Sequence, residues 1–162
     1  MKLLKWVRVV SCCLKIAFLL TLFSQASAMS LFDTGKSCVF SSVEGAITLN
    51  GQPAAGAEIK RSVDWQKEKQ DSTQADSQGK FSLPALYQRS AMKLIPSEFV
   101  AAQHMVVIYQ GKEYPIWETA KRSEEENAEL EGKPLVFTCE LTDEPEFTHL
   151  TLTSIKSSCR WK

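Results

Sequence analysis

The reading of the fold turns on Val43 to Trp65, VEGAITLNGQPAAGAEIKRSVDW, and on Asp71 to Pro84, DSTQADSQGKFSLP. Asn50-Gly51 separates two runs with strand character. Both central positions of a tight hairpin turn favour positive φ, which Asn and Gly adopt at little cost, so this dipeptide predicts a two-residue turn. Pro53 follows, where a missing backbone donor is tolerated. The small residues Ala54, Ala55, Gly56 and Ala57 lead into a second run. There Ile59, Arg61, Val63 and Trp65 alternate with Glu58, Lys60, Ser62 and Asp64. A period of two with one mostly apolar face predicts a half-buried strand. Arg61 interrupts that face and points to an edge position. A second turn, Asp76-Ser77-Gln78-Gly79, precedes the strand Lys80 to Leu83, which Pro84 limits.

Working outward, Cys38 to Val43 reads as a strand that Gly45 to Leu49 continues or restarts. Gln66 to Gln78 is polar and reads as a loop or a ragged hairpin tip. Pro96-Ser97-Glu98 suits the start of a helical turn. Gln103 to Tyr109 and Tyr114 to Trp117 form an expected hairpin around Gln110-Gly111. Thr119 to Gly132 is the best helix candidate, short and mostly solvated. Leu135, Phe137, Cys139 and Leu141 alternate cleanly, and Phe147 to Ile155 reads as a last strand. The expected fold is therefore all-β: an antiparallel Greek-key sandwich of about seven strands with one short helix. Its core is expected from Phe40, Val43, Ile47, Leu49, Ile59, Val63, Phe81, Leu83, Val107, Ile108, Leu135, Phe137 and Leu141.

The amino terminus reads differently. Lys2, Lys5, Arg8 and Lys15 come before any acid, the apolar run Ile16 to Phe23 follows, and Ala26-Ser27-Ala28 offers small residues for cleavage. This is the pattern of a secretory signal spanning residues 1–28, with cleavage expected after Ala28 and a periplasmic or secreted product. The apolar run is well short of the ~20 residues a spanning helix needs, so no stable membrane insertion is expected after cleavage. Val9-Val10-Ser11-Cys12 loosely resembles a lipobox but precedes the apolar run. Residues 29–37 read as a polar leader and 38–162 as a single domain. Processing removes four of the 19 basic residues and none of the 19 acids, so net charge moves from 0 to −4. Nucleic-acid binding needs clustered cations, and none are present. Acids cluster instead at Glu124-Glu125-Glu126, with Glu129 and Glu131 close behind. That run reads either as a solvated face or as a docking surface for a basic partner.

Cys38, Cys139 and Cys159 survive processing, and export implies an oxidising compartment in which one disulfide is expected. Three single pairings exist. Cys139–Cys159 is favoured because it ties the loosely patterned tail to a central strand, with Cys38–Cys139 next. The cysteine left over is expected to behave as a small buried hydrophobe.

Gly45, Asn50-Gly51-Gln52-Pro53, Gly56-Ala57 and Ala75-Asp76-Ser77-Gln78-Gly79-Lys80-Phe81 together resemble the carboxypeptidase regulatory-like domains, a group with a transthyretin-like β-sandwich. The resemblance implies that the first Gly and the turn Gly hold backbone geometry, while Asp-x-x-Gly-x-Phe makes a turn and plants an aromatic in the core. The usual Thr before that Asp is Ala75 here. Pro96-Ser97-Glu98-Phe99, Gln103 to Tyr109, Gly111-Lys112-Glu113-Tyr114, Trp117, Cys139-Glu140-Leu141 and Cys159-Arg160-Trp161 look like a family of short exported proteobacterial proteins. That likeness implies the same extended sandwich and carries no assigned reaction.

The chemistry is sparse. His104 and His149 lie in no metal-ligand spacing. There is no GxSxG nucleophile elbow, no GxxxxGK and no GxGxxG. Asp64, Asp71 and Asp76 lack the regular spacing of a calcium loop. No cofactor is expected. Among the aromatics, Trp65 and Trp117 read as exposed anchors flanked by charge, the usual dress of an interface hot spot. The expected function is therefore non-enzymatic binding of a protein partner. Its most concrete form is an immunity-type protein that neutralises a secreted toxic effector encoded nearby, through Trp65, Trp117, Glu124, Glu125 and Glu126. The alternative is a structural or carbohydrate-binding accessory of the cell envelope. A hidden hydrolase using His104 or His149 is the third.

Overall fold

The computed structural model describes residues 35–89 and 98–161. The signal segment, its cleavage point, most of the polar leader and the Pro96-Ser97 turn start lie outside the described residues. Among those described, thirteen strands form and no helix is long and apolar enough to cross a membrane. They are β1 (Lys36–Phe40), β2 (Val43–Leu49), β3 (Gln52–Pro53), β4 (Glu58–Trp65), β5 (Lys67–Gln74), β6 (Lys80–Leu83), β7 (Leu86–Arg89), β8 (Ala101–Tyr109), β9 (Lys112–Lys121), β10 (Leu135–Glu140), β11 (Glu146–His149), β12 (Ser154–Ser157) and β13 (Cys159–Trp161).

These strands make three open sheets. One has the order β11-β12-β9-β8-β4-β5, antiparallel throughout. A second runs β13-β10-β2, and the far side of β2 is shared by β6 and β3. β1 and β7 pair as a two-stranded ribbon. The expectation of a purely antiparallel arrangement is corrected here. β2 and β10 run parallel over Leu135↔Val43 to Glu140↔Thr48. They are far apart in sequence, so no hairpin dictates their direction.

The predicted turns form as their residues require. Asn50 and Gly51 have φ of 52° and 74°, and Gln110 and Gly111 have 51° and 73°. Asp76 Oδ1 accepts the backbone N–H groups of Gln78 and Lys80, which closes the turn into β6. Gly79 sits there with φ of 75°, and a Cβ would lie 2.4 Å from the Ile47 carbonyl oxygen. Gly45 is needed for space rather than angle, because a Cβ would come within 2.8 Å of both Phe137 O and the Phe81 ring.

Four expectations fail locally. Of the two readings of Gln66 to Gln78, the loop fails and the hairpin holds in a more regular form: after the turn at Gln66, Lys67–Gln74 is β5, which covers β4 along eight paired residues. β4 therefore lies inside its sheet, and Arg61 is buried, not at an edge. Its guanidinium donates to both Asp71 oxygens directly across the ladder, and to the carbonyls of Ser41 and Pro84. The expected helix over Thr119 to Gly132 is replaced by the end of β9, a loop and one 3-10 turn, Ala128–Leu130. Asn127 and Glu131 flank that turn with φ of 63° and 56°, which stops a helix from propagating in either direction. Phe147 to Ile155 is not one strand but the β11–β12 hairpin.

One core cluster draws on both larger sheets: Val43, Ile47, Phe81, Leu83, Leu135 and Phe137 from one, and Ile59, Val63, Met105, Val107 and Ile155 from the other. Leu49 and Ile108, expected inside, are only half-buried. A bulge opposite Met105 and Val106 adds one residue to β9. Both Ile116 and Trp117 are buried as a result. The Trp117 ring lies 5.0 Å from Phe137 and 5.9 Å from Trp161, which joins the two sheets through aromatic contacts.

The disulfide is Cys139–Cys159, between facing positions of β10 and β13. Cys38 is free and buried. With 20 residues of sequence separation, the bridge is expected to contribute about 3 kcal/mol by restricting the unfolded chain. The Cys139→Ser/Cys159→Ser protein should show an unfolding free energy lowered by that amount in urea titration, and the wild type should match it when reduced.

Glu140, at the end of β10, clamps the Asn50-Gly51 turn. It accepts from both backbone N–H groups and from the Thr48 and Thr142 hydroxyls. Partial burial opposes its charge, but those donors prevail and hold its pKa down at about 2. A depressed folded-state pKa stabilises the fold above the ordinary Glu range, and that contribution disappears as pH falls through the folded value. Stability should therefore decline between pH 4.5 and about 2. Glu140→Gln should flatten that decline, as read from unfolding midpoints across the range.

Candidate functional site

The densest polar chemistry lies where β9 ends. Lys121 phases inward with Trp117 and Thr119, and meets Glu129 from the 3-10 turn at 2.7 Å. Both side chains are 0% exposed. Glu129 Oε2 also accepts from Ser41 Oγ at 2.6 Å. Its Oε1 accepts from Ser41 N and from Gln103 Nε2, each at 2.9 Å. Gln103 donates again to Val39 O and accepts from Trp117 Nε1. Ser41 Oγ accepts from Lys121 Nζ at 3.1 Å and from Asn127 N at 2.7 Å. The Cys38 sulfur lies 4.0 Å from Lys121 Nζ.

Two opposing forces act on Glu129. Burial disfavours its charge and is the largest single influence. The Lys121 charge and the donors from Lys121, Ser41 and Gln103 together outweigh it, and the pKa ends below the usual Glu range. Burial pushes the Cys38 thiol up, and Lys121 and Ser41 pull it back only in part. Ser41 beside Lys121 looks like a serine–lysine dyad. A general base must, however, be a neutral amine within reach of a substrate. Lys121 Nζ is instead held against Glu129 Oε2 at 2.7 Å, and neither side chain has exposed surface to meet a substrate. The cluster is a structural knot that ties the β1–β2 connection to the segment after β9.

That knot sets the position of the acidic run. Glu124, Glu125 and Glu126 are all exposed, in a loop rather than on a helix. Glu124 O accepts from Cys38 N, and Glu124 Oε2 from Ser37 Oγ. Glu126 accepts from Ser42 Oγ and Tyr87 Oη. The Glu125 carboxylate has no hydrogen-bond partner among the described residues. Beside this loop lies a concavity of about 480 Å³, closed on its other side by Leu150 to Thr153.

The structure separates the sequence-predicted site residues. Glu124, Glu125 and Glu126 share one surface. Trp65 is half-buried and packs its ring 5.0 Å from Phe99. Trp117, expected as an exposed anchor, is 1% exposed and belongs to the core. The expectation failed because the bulge in β9 turns Trp117 inward, in phase with Thr119 and Lys121. His104 is exposed, and His149 Nδ1 lies 2.8 Å from Ser154 Oγ. Among the described residues no group of three or more His, Cys, Asp or Glu is placed to hold a metal. Neither the concavity nor the knot is legible in the sequence. Ser41, Gln103, Lys121 and Glu129 come from four separate segments, and nothing local marks them as partners.

Removing one member of a buried pair leaves an uncompensated charge, at a cost of about 3–5 kcal/mol. Lys121→Met or Glu129→Leu alone should each destabilise by that order in urea unfolding. The double variant should recover part of the loss, because neither charge is then stranded. Single variants with wild-type midpoints would show that the knot carries no stability.

Residues 43–144 match the family described as Domain of unknown function (DUF6795), and the chain belongs to that family. No curated protein and no solved structure matches the chain.

Proposed function

We propose that this member of the family is an exported, non-enzymatic, protein-binding module of the periplasm. We read it as an immunity-type protein that binds and neutralises a secreted toxic effector. One observation carries the reading: the three residues of the acidic run are exposed yet tied down from beneath. Ser37, Ser42, Tyr87 and the Cys38 amide hold Glu124 and Glu126, and the Lys121–Glu129 pair fixes the segment that follows. A carboxylate surface ordered before its partner arrives avoids the entropic cost of ordering it on binding. Its field also steers a basic partner into register. The same reading takes the fold as a transthyretin-like sandwich. The hairpin at Asn50-Gly51, the close approach at Gly45 and the core shared by the two larger sheets support it.

A structural or carbohydrate-binding role in the envelope is the second reading. Phe147 favours it: the residue is 67% exposed on β11, and with Lys156 Nζ 5.9 Å from its ring centroid it offers an apolar plate beside a cation to a sugar face.

The test is binding of the purified protein to the products of adjacent genes, followed by calorimetry on the complex. Reversing Glu124, Glu125 and Glu126 to Lys should weaken the complex by about a hundredfold, mostly through slower association and a shallower salt dependence. Trp65→Ala should have a smaller effect. An unchanged affinity after the triple reversal removes this surface from the interface. Retention on peptidoglycan with no protein complex would favour the second reading.

A further inference from the structure

We propose that the concavity between the acidic loop and the Leu150–Thr153 turn is an anchor pocket for one aliphatic side chain carried on an extended, basic segment of a protein partner. The inference rests on the protein-binding reading above and adds the chemistry of what is bound. The pocket, about 480 Å³, is several times the size of one side chain, so it has room for an aliphatic group together with the backbone that carries it. Its apolar lining comes from Ala128, Leu150 and Leu152. Leu152 stands at its lip with 67% of its surface exposed, apolar area that association would remove from water.

The rim gives the sign of the partner. Glu125, Glu126 and Glu131 line it. Glu129, beneath, is neutralised by Lys121. The rim acids are not matched in that way. Among the described residues Glu126 receives the Ser42 and Tyr87 hydroxyls and Glu131 the Thr151 amide, so those hydrogen bonds come from neutral donors. Lys133 lies close enough to act on Glu131, and Arg122 is taken up by Glu98. The balance at the mouth remains negative. Nucleic acid, an acidic peptide and an anionic lipid surface are all repelled there, whereas Lys or Arg on either side of an inserted aliphatic group is matched.

The pocket is also preformed. Thr153 Oγ1 donates to Ala120 O, Leu150 N to Thr153 O, and Thr151 N to Glu131 across the gap. Both walls are thereby held to β9 and to the 3-10 turn. A segment entering it meets a fixed shape, which suits an anchor side chain surrounded by matched charge.

The experiment titrates the isotope-labelled full chain with three capped peptides: Gly-Arg-Leu-Arg-Gly, Gly-Glu-Leu-Glu-Gly and Gly-Arg-Gly-Arg-Gly. Amide shifts at Ala128, Gly132, Leu150, Thr151 and Leu152 are expected with the first. Its affinity should exceed that of the other two by about tenfold. Leu152→Ala and Glu125→Lys, both at exposed sites, should each weaken it by about tenfold. Absence of shifts at millimolar peptide, equal binding of all three, or shifts located elsewhere overturns the pocket. The two proposals fail separately. A complex with a neighbour-encoded protein whose affinity is unmoved by Leu152→Glu and by Ala128→Trp discards the anchor pocket and leaves protein binding standing. Selective peptide binding with no complex to any neighbour-encoded protein supports the pocket's chemistry and removes the immunity role.

Discussion

The buried contact between Lys121 and Glu129 governs how the rest of this protein is arranged. An ion pair with no exposed surface loses the hydration of two charges, a cost of several kcal/mol for each ion. It persists only if its remaining hydrogen-bonding capacity is filled. Ser41 and Gln103 supply the carboxylate, and Ser41 and the pair itself occupy the ammonium. Each partner comes from a different element, so satisfying the pair forces four segments to converge. The β1–β2 connection is pulled under the sheet, Gln103 is held inward on β8, and the stretch after β9 folds back over both.

That convergence explains why an irregular stretch behaves as a built surface. Between Lys121 and Glu129 the chain has little regular structure of its own. Its two ends are fixed to each other, and its middle is stitched to Ser37, Ser42 and Tyr87. The Glu129 side chain is consumed by the knot, while Glu125 is left facing solvent. Acids close together in sequence therefore do opposite work: one stabilises from within, and its neighbours give the exterior its sign. Arg61 repeats the strategy on the other side of Ser41. Its guanidinium reaches the Ser41 carbonyl and pairs with Asp71 on β5.

How much of this could be read from residues alone follows from the range of the interactions. Asn50-Gly51, Gln110-Gly111 and Asp76 to Gly79 were legible because a turn is decided within four residues. Most of the apolar core was legible because inward-facing Val, Ile, Leu and Phe declare their phase locally. β5 was not legible. KEKQDSTQ has no apolar face, and it is a strand only because β4 offers it a ladder and Arg61 offers Asp71 a partner. The expected helix after Thr119 failed for the converse reason. Its composition favours a helix, but Lys121 is drawn inward in strand phase, and the left-handed conformations at Asn127 and Glu131 leave room for a single turn. Trp117 was misplaced by the same error, since a tryptophan flanked by charges has the same appearance on a surface as on the inward phase of an amphipathic strand.

The parallel pairing of β2 with β10 bears on where recognition can be built. Because β10 lies directly beside β2, the polypeptide between them must leave the sheet and return with the same direction. That excursion touches the sheet again at β3 and β6 on the far side of β2, passes through β4, β5, β8 and β9, and delivers the acidic segment just before β10 begins. The acidic loop is the last part of a long detour whose two ends are fixed in one sheet. Beyond β10, the β11–β12 hairpin returns to pair with β9, and this carries Leu150 to Thr153 back against that loop. The concavity between them is thus a consequence of topology. It arises where the chain entering β10 meets the chain that follows it, and neither stretch could form it alone.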